Sequence, residues 1–252
     1  LVHKDQPIRI GFVAKALWRN GAADDAKKKP KSAFGGYRKR TMTARQLVGG
    51  MASLVPETGT LYQVWLKHDI DPGFREELML AVSKLNDCRY CTWGHHEWAH
   101  MLGVPDEELA HVEQMDPKGF DRKKWTAISY VRALVSADFG PVDEKLQGEM
   151  EAKYSAHEIK EIKMIAKVMD IGNRGANTWD AMLSRLRGTP AADSHLLDEV
   201  VLSGAFLITA PPVLYFLSRA TKRPVLEMAR SLIDYTRHHE ERTATAAPAK
   251  AR

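Results

Sequence analysis

Cysteine is nearly absent from the 252-residue chain: Cys88 and Cys91 are the two it has. A pair this close in sequence cannot staple distant elements. It therefore argues against a secreted disulfide scaffold and for an intracellular redox or metal pair. Strand signals are missing as well. No alternation of apolar and polar residues runs long enough for a strand, whereas apolar residues recur at helical spacing, so the expected fold class is all-α. No secretory signal is visible, because the apolar stretch from Ile8 to Leu17 is short and broken by Arg9 and Lys15. The chain opens on Leu1 rather than Met, as expected of a processed or longer product. The remaining composition, 44% hydrophobic and 27% charged, is that of an ordinary globular protein long enough to bury a core.

Acidic residues are scarce at one end. Residues 1–50 hold twelve Lys and Arg against three Asp and Glu, a local +9, which leaves −4 for the rest of a chain whose net charge is +5. The basic surplus thus belongs to an N-terminal arm over 1–42 and not to the body. Such an arm reads as solvated, with an anionic membrane surface as its alternative partner and nucleic acid not expected. Ile8 to Trp18 fits a short amphipathic helix, and the Gly-, Ala- and Lys-rich stretch after it reads as a loop.

A helical domain over 43–190 follows, then a C-terminal helical extension over 191–240 and a disordered tail over 241–252. Helices are expected over Thr43 to Leu54 and Thr60 to Lys67. The next starts at Asp71 as N-cap with Pro72 at its first position, and carries Leu78, Met79, Val82 and Leu85 at helical spacing. Asn86-Asp87 breaks it, and a second helix runs from Cys88 to Leu102. Asp106, Asp121 and Asp143 open further helices; His157 to Ile171 and Asn173 to Arg187 close the series. Shifted by 85 residues, Glu76 falls on Glu161, Cys88 on Asn173 and His95 on Asp180. This suggests two degenerate helical repeats, each a helix, a polar break and a second helix. Val200 to Ser218 holds no charged residue, but Pro211-Pro212 is expected to divide it into two short buried helices or a subunit contact. Membrane association through 200–218 is the alternative.

The stretch from Glu76 to His100 carries the chemistry. Residues 88, 91 and 95 share one helical face, and the start of a helix favours a thiolate, drawing a cysteine pKa down from about 8.5. Cys91 and His95 are i, i+4 neighbours, close enough for the imidazole to take the thiol proton. Glu76 on the preceding helix would orient His95, in the manner of a nucleophile, a base and its orienter. An ionised thiol beside a second thiol attacks peroxide and is rescued as a disulfide. His96, His100, Tyr90, Trp93 and Trp98 read as packing, surface or pocket-wall residues, and Glu77 as a solvent-facing carboxylate. Asp106, Glu107 and Glu108 read as a first-turn charge bias.

At these residues the chain resembles the AhpD-like (alkyl hydroperoxidase D) group of the carboxymuconolactone decarboxylase superfamily. The likeness rests on Glu76 followed twelve residues later by Cys88-x-x-Cys91-x-x-x-His95, with the text MLAVSKLNDCRYC between and around them. It covers residues 70–110 clearly and 40–190 more loosely. The resemblance implies an all-α fold that assembles as a dimer, trimer or hexamer, and a cytoplasmic thiol peroxidase or disulfide reductase without a cofactor. By the same resemblance Cys91 attacks the hydroperoxide, Cys88 resolves it, His95 and Glu76 relay the proton, and an external dithiol restores the thiols. Two other readings stand beside it: a decarboxylase-type enzyme using Glu76 or His95 as base, and a non-enzymatic helical module whose thiols are structural or bind zinc.

Overall fold

The computed structural model describes residues 39–245, the last six of them by backbone alone. No strand occurs among the described residues, so the fold is all-α. The helices are α1 (Ala44–Ala52), α2 (Thr58–Tyr62, run on by a wider turn over Gln63–Lys67), α3 (Pro72–Leu85), α4 (Arg89–Met101) and α5 (Asp106–Gln114). They continue as α6 (Arg122–Ser136), α7 (Glu144–Lys153), α8 (Ala156–Leu186), α9 (Leu196–Thr221) and α10 (Val225–Thr245).

Side-chain caps set several of the starts. Asp71 accepts a hydrogen bond from the Phe74 N–H at 2.9 Å, Asp121 from Lys124 at 2.8 Å and Asp143 from Leu146 at 3.1 Å. Thr43 with Gln46, and Ser155 with Glu158, close reciprocal capping boxes. The fold is built around α3, which is buried without interruption from Gly73 to Ser83. Helices α4, α5, α6 and α8 pack against it. Leu78, Leu80, Val131, Val135, Ile162 and Ile165 form the centre of the core.

Four expectations change. First, α8 is one helix of 31 residues, not two. Its middle is polar, but Arg174 Nε donates to the Thr41 carbonyl at 3.0 Å and Asn177 Nδ2 to the Asn86 carbonyl at 2.8 Å. Bonded to other elements, these side chains do not compete for their own backbone, so the helix continues. The polar break expected in the second repeat is therefore absent.

Second, α9 continues without interruption through Pro211 and Pro212, and most of its apolar side chains are exposed rather than buried. The prolines deprive the carbonyls of Leu207 and Ile208 of their helical donors, but both residues face outward, with Ile208 75% exposed. By length and composition α9 is apolar enough to cross a membrane.

Third, residues 39–42 belong to the body and not to the arm. Arg40 is paired with Asp138, Met42 is buried, and the Met42 N–H donates to Thr178 Oγ1 at 2.9 Å. The helix expected at Ile8 to Trp18 and the rest of the arm lie outside the described residues. Fourth, the expected tail begins as helix, since α10 extends to Thr245.

Candidate functional site

Between α3 and α4 the chain reverses over three residues, Asn86 to Cys88. Asp87 adopts the left-handed conformation with φ of 52°, which Asp tolerates better than most residues. Asn86 pins the reversal by donating to Asp170 Oδ1 at 2.9 Å, and His239 from α10 meets Asp87 Oδ1 at 2.7 Å. The resulting antiparallel pair of helices brings Glu76 of α3 beside His95 of α4, two residues nineteen positions apart in sequence.

Cys88 is the N-cap of α4 and not its first helical residue: its Sγ accepts the Cys91 N–H at 3.3 Å. Cys88 and Cys91 are joined as a disulfide. The two sulfurs differ in access. Cys88 is fully buried, whereas Cys91 is half-buried and opens into a cleft of about 280 Å³ that His95 also lines.

Glu76 is 4% exposed, and both carboxylate oxygens are engaged. Oε2 lies 2.7 Å from His95 Nδ1, while Oε1 accepts from Arg75 Nε at 3.0 Å and from a terminal guanidinium nitrogen at 2.9 Å. Burial by itself would push this carboxyl up. Hydrogen bonds and charge from His95 and Arg75 outweigh it and hold Glu76 below the usual carboxylate range. Glu76 therefore stays ionised and fixes one imidazole nitrogen, which leaves Nε2 as the free end of His95. A carboxylate so fully committed is a poor proton acceptor.

A second carboxylate anchors α4 to α8. Asp180 accepts from Arg89 at 2.7 Å and from the Tyr90 hydroxyl at 2.7 Å through Oδ1, and from Lys39 at 2.8 Å through Oδ2. Burial first, and then the Asp180 charge, push the Tyr90 hydroxyl up, so it remains a neutral donor. Phe206 of α9 lies 5.1 Å from the Tyr90 ring and 5.7 Å from that of Trp179, counted between ring centres. Trp93 Nε1 donates to Ser231 Oγ of α10 at 3.1 Å.

The cleft wall is thus largely apolar. Trp93 and Trp98 of α4 face Phe206, Val213 and Leu214 of α9 and Leu232 of α10 across it. Of the four expected site residues, Cys91 and His95 line the cleft, while Cys88 and Glu76 lie buried behind them, each in contact with one of the two. Tyr90, Trp93 and Trp98 line the cleft as expected, whereas His100 pairs with exposed Asp106 at 2.9 Å and takes no part. The wall supplied by α9 and α10 was not legible, since these residues lie more than a hundred positions from Cys91 and carry no motif. A larger cleft of about 460 Å³, among Glu57, Tyr130, Phe139 and Lys163, contains none of the four.

Glu77 corrects an expectation. It is fully buried, 3.1 Å from Lys124, rather than facing solvent. Burial, reinforced by neighbouring Glu108, pushes its carboxyl up to about 8. Glu108 is more than a helix-start charge, because it accepts from Lys124 at 2.7 Å. Compared with protein-family models, curated proteins and solved structures, the chain matches none.

Proposed function

We propose that the chain is an AhpD-like thiol peroxidase or disulfide reductase centred on Cys91. The observation that carries this reading is one cleft holding an accessible Cys91 and His95, the latter fixed from behind by the buried Glu76 carboxylate. In the reduced protein His95 takes the Cys91 proton. The thiolate attacks the distal oxygen of a hydroperoxide ROOH; the O–O bond breaks, His95 returns the proton, and the alcohol ROH leaves. Cys91 is then a sulfenic acid. The Cys88 thiol displaces its hydroxyl as water, forming the disulfide, and an external dithiol exchanges with that disulfide to restore both thiols.

Access supports the division of labour, because the half-buried sulfur meets substrate and the fully buried one meets only its neighbour. The engaged state of Glu76 speaks against its use as base in a decarboxylase-type reaction. Turnover of an organic hydroperoxide with a dithiol tests the reading. Cys91→Ser is expected to abolish it, and Cys88→Ser to leave a sulfenic acid that a dimedone probe captures. Turnover that survives removal of both thiols would sink the proposal and point to acid–base chemistry at His95. Glu76→Gln should lower the rate on the order of tenfold to a hundredfold by loosening His95.

A further inference from the structure

Glu161 of α8 is 0% exposed, and neither of its carboxylate oxygens has a hydrogen-bond partner. A buried carboxylate without a donor is costly and calls for a positive charge or a proton. Glu76 stands 85 residues earlier in the chain and is held differently. Glu76, its counterpart, is satisfied by Arg75 and His95, whereas the residues at those offsets from Glu161 are Lys160 and Asp180. Lys160 instead pairs with Glu57 at 3.2 Å, and Asp180 is committed to α4.

Two further donors face Glu161. His157, one turn earlier on α8, places Nε2 3.4 Å from Glu161 Oε1, and the same nitrogen stands 3.4 Å from Oδ2 of Asp69 in the turn before α3. The three donor atoms lie within 4.8 Å of one another. Donors about 2.1 Å from a metal at a tetrahedral angle stand about 3.4 Å apart, which is the spacing His157 keeps to both carboxylates. His157 and Asp69 are exposed, so an ion has a path in.

We propose that Asp69, His157 and Glu161 form a divalent transition-metal site. One imidazole nitrogen with two carboxylates favours Zn²⁺ over Mg²⁺, because magnesium prefers an all-oxygen shell. Two carboxylates neutralise the ion, and the fourth position is left to water. The role is structural. The site ties the start of α8 to the turn two residues before Asp71, the cap of the helix that carries Glu76.

Calorimetric titration of Zn²⁺ into the oxidised protein tests this, because the intact disulfide keeps Cys88 and Cys91 from competing. One equivalent is expected to bind and to raise the melting temperature. His157→Ala and Asp69→Asn change exposed residues and preserve the fold, which circular dichroism checks; each should weaken zinc on the order of a hundredfold. Glu161→Gln should do the same while leaving Cys91-dependent turnover in place. Unchanged zinc affinity in His157→Ala and Asp69→Asn, or no binding at millimolar zinc, overturns the proposal.

Discussion

Glu76 and Glu77 are neighbours on α3, both buried, and hold opposite protonation states. Glu76 meets Arg75 and His95 and is held below the usual range, whereas Glu77 shares Lys124 with Glu108 and is pushed up to about 8. Glu76 adds stability above the ordinary carboxylate pKa that is lost as pH falls through its lowered folded value. Glu77 acts in reverse: between about 4.5 and 8 the folded state keeps a proton that the unfolded chain has released, so stability falls as pH rises through that window. Glu77→Gln is expected to remove that decline, gaining about 3 kcal/mol on wild type between pH 5 and pH 8. Urea unfolding at both pH values measures it, and parallel losses in the two proteins would exclude Glu77 as the linked group. The four candidate residues were legible because their spacing is local and their residue types are rare. Glu77 was not, since a 100° offset from a functional face says nothing about which other helices cover a residue.

At the scale of the element, caps were readable and continuity was not. Asp71, Asp121 and Asp143 start helices through bonds to N–H groups two or three positions ahead, so sequence alone contains both partners. Whether a polar or proline-bearing stretch interrupts a helix depends on groups elsewhere. In α8 the carbonyls of Thr41 and Asn86 accept the side chains that would otherwise turn the chain. In α9 the carbonyls that Pro211 and Pro212 leave without helical donors belong to the exposed residues Leu207 and Ile208, and Thr209 Oγ1 donates to the Ala205 carbonyl at 2.9 Å. Replacing both prolines by alanine restores two helical donors, and a proline inside a helix costs about 3 kcal/mol relative to alanine. The double variant is expected to be more stable by about 1–3 kcal/mol in chemical denaturation. No gain would mean that the strain is already relieved by local bending.

At the scale of the whole molecule, α9 does two things. Phe206, Val213 and Leu214 wall the thiol cleft, while Leu197, Leu207, Ile208 and Phe216 lie bare on the outside. Such a continuous apolar face is costly in water and favours a covering partner. Self-association, which the AhpD resemblance implies, is the partner we expect. Light scattering should then give a multiple of the single-chain mass, and Leu207→Glu with Ile208→Glu should return it to one chain. A wild-type mass of one chain would remove the expectation.

The sequence by itself determined the all-α class, the helix starts capped by Asp71, Asp121 and Asp143, and the spacing of Cys88, Cys91 and His95. Each of these rests on chemistry between residues a few turns apart: capping bonds, helical periodicity, and the i, i+3 and i, i+4 spacing of Cys88, Cys91 and His95. Tertiary structure alone decided which thiol is reachable, which glutamate keeps its proton, and what walls the cleft. Those properties depend on burial, and burial is set by elements distant in the chain, α8, α9 and α10, whose approach no local pattern records.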